Sequence, residues 1–341
     1  MFAEAKRQLV FDINKYFLSC HASTLTVLRN GKIMVAWFVG SAEGADDVAI
    51  WGACRNNNTW SIPRRLADDI GQPNWNPVLY TLDNGNVMLF YKVGRNISQW
   101  ITKVIISEDN AITWSEPTEL VSGDTSGGRG PARNKVIKIS NGNLLAPTST
   151  EKGMWKCMVD IFDDKSKTWM KSNEIFIENL DYQNIQTIKS NIAVSEQSFN
   201  GRGIIQPTLW ESEPNVVHMM MRSTEGKIYR SDSLDGGLTW SAAYATTLPN
   251  NNSGIDVAKL KNGTLVLVYN PIGINWGERT PIILSISRDN GITWGEDFIL
   301  DEGKGEYSYP AIITKDNELL ITYTFDRKSI AFWNIKFEVK K

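Results

Sequence analysis

The sequence predicts an all-β fold, a single six-bladed β-propeller over residues 1–341 whose ring is closed by an N-terminal strand. Three observations predict it: a turn motif that recurs along the chain, six polar turns between strand-like runs, and almost no helical 3.6-residue period. A chain of this length often contains two domains, but an all-β fold of the same size commonly forms one.

The recurring motif is Ser-x-Asp-x-(Gly/Ala)-x-Thr-Trp. It occurs at residues 107–114, 233–240 and 287–294, and weaker copies end at Trp60 and Trp169. The five Trp residues that end these copies are 54, 55, 71 and 54 residues apart. An Asp at this place accepts backbone N–H groups across a tight turn, and Thr-Trp packs between strands. The motif therefore predicts a repeated scaffold turn rather than a catalytic group.

Six polar turns, most of them Asn-Gly signals, separate pairs of strand-like runs. They begin at residues 29, 83, 140, 212, 261 and 315. Each unit is predicted to contain a strand, a hairpin, a second strand, a longer loop, a third strand, an Asp turn and a fourth strand. The sixth unit supplies only three strands, so we expect the apolar segment 8–13 to add the fourth and remove an open sheet edge.

Composition narrows the function. The chain has 36 Lys and Arg against 38 Asp and Glu, a net charge of −2, which argues against a general nucleic-acid or anionic-membrane binder and favours a small molecule or an oligosaccharide as partner. Two His and three scattered Cys residues give no metal-binding pattern, so neither a metal nor another cofactor is predicted. The first residues lack the apolar core of a signal peptide, which predicts a cytoplasmic protein. The oligomeric state stays open.

One face of such a propeller collects the starts of the first strands, the ends of the second strands and the loops that follow them. Counting from the hairpins places six polar side chains at the starts of the first strands: His21, Asn76, Arg133, Gln206, Asp256 and Tyr309. The second strands and the loops add Lys92, Arg222, Asn270, Glu43, Asp46, Asp47, Glu151 and Arg279, with Trp75, Trp100, Trp155 and Trp276 beside them. Guanidinium groups next to carboxylates and aromatic rings suit an anionic, hydroxyl-rich ligand, because a guanidinium binds a carboxylate bidentately and a carboxylic acid can transfer a proton.

These features resemble the sialidase (neuraminidase) superfamily, specifically its Asp-box, or BNR, repeat proteins, over nearly the whole chain. The resemblance implies an exo-glycoside hydrolase that acts on a terminal acidic sugar such as a sialic acid or a uronate. Tyr307-Ser308 is similar to the segment that carries the family's Tyr nucleophile. Arg222 and Arg279 resemble two of the arginines that hold the substrate carboxylate, and Asp46, or else Asp47, resembles the acid/base.

Two positions depart from the family pattern. His21-Ala22-Ser23 stands where the family begins its first strand with Arg-x-Pro, and Gln206 stands where a Glu partners the nucleophile. Since Gln cannot accept the phenolic proton of Tyr307, we expect poor turnover of aryl sialosides and a preference for a sugar such as a uronate.

Alternatives to this interpretation remain. Glu43 or Glu151 can act as the base in place of a Glu at position 206, and Lys92 or Arg129 can act as the third cation. Two other functions fit the same face: a uronate lyase in which Tyr307 or His21 removes the proton next to a carboxylate, and a non-catalytic glycan-binding propeller.

Overall fold

The structure, a computed structural model, describes residues 2–13, 15–181 and 201–337. In these ranges the chain forms 25 β-strands and one short 3₁₀ helix, and no α-helix occurs there. The all-β class predicted from the sequence is confirmed. No helix in the same ranges has the length and the apolar character needed to cross a membrane.

The first two repeat units follow the predicted order of strands. After β1 (Phe2–Leu9), the first unit consists of β2 (Ser19–Val27), β3 (Ile33–Gly40), β4 (Ala49–Asn56), β5 (Thr59–Trp60) and β6 (Arg64–Ala67). The second consists of β7 (Asn74–Thr81), β8 (Val87–Val93), the 3₁₀ helix Ile97–Gln99, β9 (Ile101–Ser107) and β10 (Thr118–Glu119). In the first unit β5 and β6 both pair with β4, so two short strands form the outer edge.

The third and fourth units are joined into one sheet. The third contains β11 (Ile137–Lys138), β12 (Leu144–Lys152), β13 (Met154–Asp163) and β14 (Thr168–Lys171), and the fourth contains β15 (Arg202–Glu213), β16 (Val216–Ser223), β17 (Lys227–Ser233) and β18 (Tyr244–Pro249). β13 pairs with β15 in parallel, with Trp155 opposite Gly203. A Cβ at Gly203 would lie 2.5 Å from Trp155 O, so glycine permits this close approach. The structure thus differs from the prediction of six separate sheets, since the described residues form five.

The N-terminal strand pairs with the last unit. The fifth unit contains β19 (Asp256–Lys259), β20 (Leu265–Tyr269), β21 (Ile282–Ser287) and β22 (Gly295–Asp301), and the sixth contains β23 (Tyr307–Lys315), β24 (Glu318–Phe325) and β25 (Ser329–Phe337). β1 lies antiparallel to β25 and is the fourth strand of that sheet.

The position predicted for this N-terminal strand, residues 8–13, is wrong by several residues. The strand ends at Leu9, Val10 still donates its backbone N–H to Ile330 O at 2.8 Å, and Val10 and Phe11 are buried in the core. An outermost strand is exposed, and β1 therefore carries charged residues. The apolar residues Val10 and Phe11, which led to the predicted position, belong to the segment that follows the strand.

The Asp turns have the geometry that the motif predicts. In the third strong copy, Asp289 accepts hydrogen bonds from Thr293 N at 2.9 Å, Thr293 Oγ1 at 2.6 Å and Ser287 Oγ at 2.8 Å. Asp109 and Asp235 make the same set of contacts. All six predicted hairpin turns also join antiparallel strands. The local signals of the sequence therefore describe the scaffold correctly.

The apolar core lies between neighbouring sheets. Trp37 of β3 and Phe332 of β25 belong to one buried cluster, and Leu284 of β21 and Tyr323 of β24 belong to another. Along the first strands, β2 contacts both β7 and β23, and β19 contacts both β15 and β23. The first strands of these units lie side by side, which brings their N-terminal ends together.

A β-bulge recurs in four of these first strands. The strand register shifts in β2, β7, β15 and β23. At each shift one residue adopts a left-handed backbone conformation: Ala22 (φ 55°), Asn76 (φ 41°), Gln206 (φ 50°) and Tyr309 (φ 54°). Such conformations are unfavourable for residues other than glycine, and bulges redirect side chains. The repeated bulge turns the side chains of units two, four and six toward a common point.

Candidate active site

A pocket lies at this point. It is lined by Glu43, Trp75, Asn76, Ile97, Trp100, Glu151, Trp155, Ile205, Gln206, Arg222, Trp276, Arg279, Tyr309 and Arg327. All four Trp residues expected at this face are among them. The rings of Trp75 and Trp100 are 5.2 Å apart, and both donate Nε1–H to Gly94 O, at 2.9 and 3.0 Å, which fixes one aromatic wall. Rigid aromatic rings beside polar groups suit a sugar.

Tyr309 lies at the centre of the charged part of the pocket. Arg222 Nη1 donates to Tyr309 Oη at 2.8 Å and to Gln206 Oε1 at 2.9 Å, and Arg222 Nε donates to Asn252 Oδ1 at 3.0 Å. The guanidinium groups of Arg133, Arg222 and Arg279 each lie 5.4–5.5 Å from the centre of the Tyr309 ring. Arg222 therefore contacts two other residues predicted to bind substrate, Gln206 and Tyr309.

Tyr307, the predicted nucleophile, does not line this pocket. Its ring belongs to an apolar cluster and lies 5.3 Å from the ring of Phe325, and its hydroxyl donates to Glu302 O at 3.4 Å. In a regular strand, residues 307 and 309 would face the same side. The bulge at Tyr309 breaks that alternation, so the side chain of Tyr309 reaches the pocket while that of Tyr307 stays in the core. Of the two tyrosines, the structure therefore places Tyr309 at the pocket and Tyr307 in the core.

Behind Tyr309, two carboxylates and two guanidinium groups alternate. Glu306 accepts from Arg279 Nη1 at 2.8 Å, from Arg327 Nε at 2.9 Å and from Ser308 Oγ at 2.7 Å. Arg327 Nη1 donates to Glu43 at 2.6 Å. Burial disfavours ionisation of Glu306, but the positive charges of Arg279 and Arg327 outweigh it and hold its pKa well below the ordinary range. Glu43 and Arg279, both predicted site residues, belong to this network.

Glu306 and Arg327 belong to this network but are not predicted from the sequence. Arg327 follows β24, and counting seven residues from the sixth hairpin stops just before it. Glu306 directly precedes β23, one residue before the position that was considered. A wider window around each strand end would have included both residues, and the register of the sixth hairpin brings them together.

Glu151 is the carboxylate best suited to proton transfer. It is partly buried at the end of β12 and lines the pocket. Burial raises its pKa to about 7, the charge of Glu43 adds to this effect, and the charge of Arg222 opposes it. A carboxyl group with a pKa near the working pH can act first as an acid and then as a base.

The predicted acid/base candidates Asp46 and Asp47 do not line the pocket. Asp46 is more than half exposed and binds Arg95 through both carboxylate oxygens at 2.8 Å, and the hydrogen bond from Arg95 lowers its pKa. Asp47 accepts from Ser41 N at 3.0 Å and from Ser41 Oγ at 2.9 Å. Donors within reach of this loop thus hold both carboxylates, which a count of loop residues could not reveal.

Lys92, a predicted substrate-binding residue, is buried away from the pocket. Its Nζ donates to Thr102 Oγ1 at 2.7 Å and to Arg129 O, and burial lowers its pKa to about 7. Arg129 itself binds Asp160 through two hydrogen bonds of 2.9 and 3.0 Å. Neither residue supplies the third cation at the pocket. Arg327 stands at the pocket instead.

Two further predicted residues lie at the first strands. Asn76 lines the pocket and donates to Ala132 O at 3.1 Å. His21 is buried, and its ring centre lies 4.2 Å from that of Tyr309, so it supports Tyr309 rather than lining the pocket. Burial lowers the pKa of His21 far below its ordinary value, and the charge of Arg327 acts in the same direction. The imidazole is therefore neutral.

The fold and this pocket define a class: repeated antiparallel sheets with Asp turns on the scaffold and a cluster of arginines, carboxylates and aromatic rings at the ends of the first strands. The family model of the BNR repeat-like domain matches residues 31–321, and the chain belongs to this family. No curated protein matches the chain.

Solved structures with the same fold include sialidases. A protein of unknown function from Dyadobacter fermentans is 15% identical, with a TM-score of 0.74 and 99% of each chain covered. The Hadza microbial sialidase Hz136 is 18% identical, with a TM-score of 0.77, and the match covers 97% of this chain and 68% of that one. The Trypanosoma rangeli sialidase in complex with the inhibitor DANA is 14% identical, with a TM-score of 0.71, and the match covers 98% of this chain and 60% of that one. At identities this low, the matches show a shared fold alone.

Proposed function

We propose that this chain is a sialidase-like exo-glycoside hydrolase that acts on a terminal acidic sugar of a glycan. One observation carries the proposal: Arg222 donates to both Tyr309 Oη and Gln206 Oε1 inside a pocket that also contains Glu151 and an aromatic wall. A cation, a phenol and a carboxyl group that titrates near neutral pH are the groups needed to bind an acidic sugar and cleave its glycosidic bond.

Each of the three groups has a distinct role. Arg222 binds the sugar carboxylate. Glu151 gives its proton to the leaving oxygen as the glycosidic C–O bond breaks, and it then takes a proton from the water that completes hydrolysis. Tyr309 stabilises the positive charge that develops at the anomeric carbon. Because Gln206 cannot take the phenolic proton, Tyr309 acts as a neutral phenol that donates to or accepts from the bound sugar.

The scaffold in this proposal is one six-bladed propeller over residues 1–341. Its support comes from β2, which contacts both β7 and β23, and from β1, which pairs with β25. In a closed ring, the first unit must adjoin both the second and the last. The pocket then lies on the ring axis, where the first strands meet.

The test is a panel of aryl glycosides that carry a sialic acid, a hexuronic acid or a neutral hexose, with products identified by mass spectrometry. We expect release of the free acidic sugar from at least one acidic glycoside and less from the neutral one. An unsaturated uronate as product would identify a lyase, and binding without any product would identify a glycan-binding protein. Either outcome would contradict the proposed hydrolysis.

A matched pair of variants tests the acid. Glu151→Gln should lower kcat/KM by about 10²–10⁴ on a substrate with a poor leaving group, and far less on an activated aryl glycoside that needs no protonation. Asp46→Asn, in the exposed pair with Arg95, should leave both rates unchanged. An equal loss on both substrates for Glu151→Gln would remove Glu151 from this role.

A further inference from the structure

Three guanidinium groups line the pocket, but they differ in their partners. Those of Arg279 and Arg327 share one carboxylate, Glu306, at 2.8 and 2.9 Å, and Arg327 also binds Glu43 at 2.6 Å. All four side chains are mostly buried, with exposed fractions between 15% and 27%. Two positive and two negative charges thus cancel within the protein.

Arg222 is the exception. The hydrogen-bond partners that the structure shows for it are Asn252 Oδ1, Gln206 Oε1 and Tyr309 Oη, and all three are neutral. Its side chain is 2% exposed, so its charge is poorly solvated at the pocket floor. A buried cation without a carboxylate partner is a strong binding point for an anion.

The rest of the pocket lining is unfavourable for a second anion. Glu43 lines it, and Glu306 forms ion pairs with both Arg279 and Arg327. A second anionic group on a ligand would approach these carboxylates and, among the lining residues that the structure describes, would meet no other uncompensated cation. In a partly desolvated site, like charges at such short range cost binding free energy that solvent does not screen away.

We propose that Glu306 is a built-in carboxylate that occupies the Arg279–Arg327 pair, so that the pocket selects sugars with a single anionic group, bound by Arg222, and rejects sugars with two. This inference rests on the proposed function, because it names the substrate class of that site. Glu306 is then a specificity-determining residue: it binds no substrate itself and sets how many cations a substrate can use.

The wild-type protein tests the selectivity directly. The probes are methyl β-D-glucuronide, which carries one carboxylate, and its 2-O-sulfate, which carries two anionic groups, with binding measured by titration calorimetry. We expect the sulfated probe to bind at least about tenfold more weakly, which corresponds to roughly 1.4 kcal/mol. Equal or tighter binding of the sulfated probe overturns the inference, and so does failure of both probes to bind.

The variant Glu306→Gln identifies the cause. It keeps the side-chain shape and releases the charges of Arg279 and Arg327, so the sulfated probe should gain at least about tenfold in affinity while the singly charged probe gains less. Glu43→Gln, which releases one edge of Arg327, should shift the ratio in the same direction by a smaller factor. Asp46→Asn breaks an exposed Arg–carboxylate pair outside the pocket and should leave the ratio unchanged.

The two proposals fail in different ways. If the wild type shows the expected charge selectivity but cleaves no glycoside, hydrolysis is refuted and the selectivity stands as that of a binding pocket. If glycosides are cleaved but Glu306→Gln and Glu43→Gln both keep the wild-type ratio of affinities, hydrolysis stands and the role of Glu306 is overturned. Melting temperatures show whether each variant is folded. If Glu306→Gln does not fold, the ratio of the two probe affinities in the wild-type protein decides whether the pocket has the proposed selectivity.

Discussion

Asp289 lies in an Asp turn of the scaffold, and Glu306 belongs to the charged network beside the pocket. Both carboxyl groups have a lowered pKa, but for different reasons. The donors to Asp289 come from Ser287 and Thr293, within a few residues of it in the chain, and their hydrogen bonds lower its pKa to about 2. The partners of Glu306 are Arg279 and Arg327, which come from different repeat units, and their charges overcome the effect of burial.

The difference separates a local device from an assembled one. An Asp turn is complete within one motif and can be repeated in every unit without regard to the others. The pocket needs a residue from each of several units to face one point, and the bulges at Asn76, Gln206 and Tyr309 accomplish this by placing non-glycine residues in a left-handed conformation. Strained backbone at a site where polar side chains meet is typical of functional positions.

The largest effect should separate two neighbouring tyrosines. We expect Tyr309→Phe to lower kcat/KM on the best acidic glycoside by about 10² or more, because it removes the hydroxyl bonded to Arg222. Tyr307→Phe should keep wild-type activity, since the Tyr307 hydroxyl makes one long contact with Glu302 O outside the pocket. Steady-state kinetics of the two purified variants give the comparison.

The reverse result, in which Tyr307→Phe loses activity and Tyr309→Phe stays active, would contradict this expectation and support Tyr307 as the nucleophile. Equal melting temperatures for the two variants are the necessary control. Both changes remove a single oxygen atom and keep the ring, so a difference in activity reports the role of each hydroxyl.

The scaffold was predictable because its signals are local. Asn-Gly turns and Asp turns require specific backbone conformations within four to eight residues, and the structure confirms them. β1 was misplaced because an exposed outer strand has no apolar pattern, and the junction of β13 with β15 has no signal other than a glycine.

The site was predictable only in its membership. Arg222, Gln206, Glu43 and the four Trp residues follow from counting strands, because strand ends must face one side. The direction of each side chain does not, since the bulge at Tyr309 directs this side chain, and not that of Tyr307, to the pocket. The partners of Asp46 and Lys92 come from other loops. Glu306 and Arg327 are neighbours through the register of β23 with β24, but the pairing of Glu306 with Arg279 of the fifth unit depends on the tertiary fold.

The raised pKa of Glu151 predicts how activity depends on pH. Because the pKa of Glu151 is raised to about 7, kcat/KM should fall about tenfold per pH unit above pH 7 as the acid loses its proton. Residual activity of Glu151→Gln should not show this decline. The same shift makes the folded state bind this proton more tightly than the unfolded state between the ordinary pKa of 4.5 and about 7, so the stability contributed by Glu151 falls as pH rises through that range. A pH–rate profile that stays flat from pH 7 to 9 would exclude Glu151 as the acid.

Lys92 is a third kind of charged residue, because it lies neither in an Asp turn nor at the pocket. Its pKa is lowered from 10.5 to about 7 by burial, so below pH 7 the folded state holds a costly buried ammonium group. We expect Lys92→Met to raise the free energy of unfolding by about 1–3 kcal/mol at neutral pH, because Thr102 Oγ1 already donates to Arg129 O at 2.7 Å and needs no lysine.

This gain should shrink as the pH rises from 7 toward 10.5, since the lysine becomes neutral in both states only above pH 10.5, and activity should not change at any pH. Denaturant melts at pH 7 and pH 10 measure the first effect, and the glycoside assay measures the second. A loss of activity in a stable Lys92→Met protein would mean that Lys92 serves the pocket after all.

The smallest expected effect is in the Asp turns, and its sign follows from the lowered pKa. The carboxylate of Asp289 stabilises the folded state above its ordinary pKa of 3.8, and that contribution is lost as pH falls through about 2. Asp289→Asn should therefore lower the thermal midpoint at pH 6, and its difference from the wild type should stay nearly constant down to about pH 4 and narrow only as the pH falls from 3.8 toward about 2. Asp83→Asn, at an exposed hairpin carboxylate that contacts Lys138, should show no comparable pH-dependent difference.

Activity at pH 6 should be the same in all three proteins, because an Asp turn acts on the stability of its own unit and leaves the assembled pocket unchanged. A drop in kcat/KM without a change in thermal midpoint would contradict the separation between the local turns and the assembled pocket.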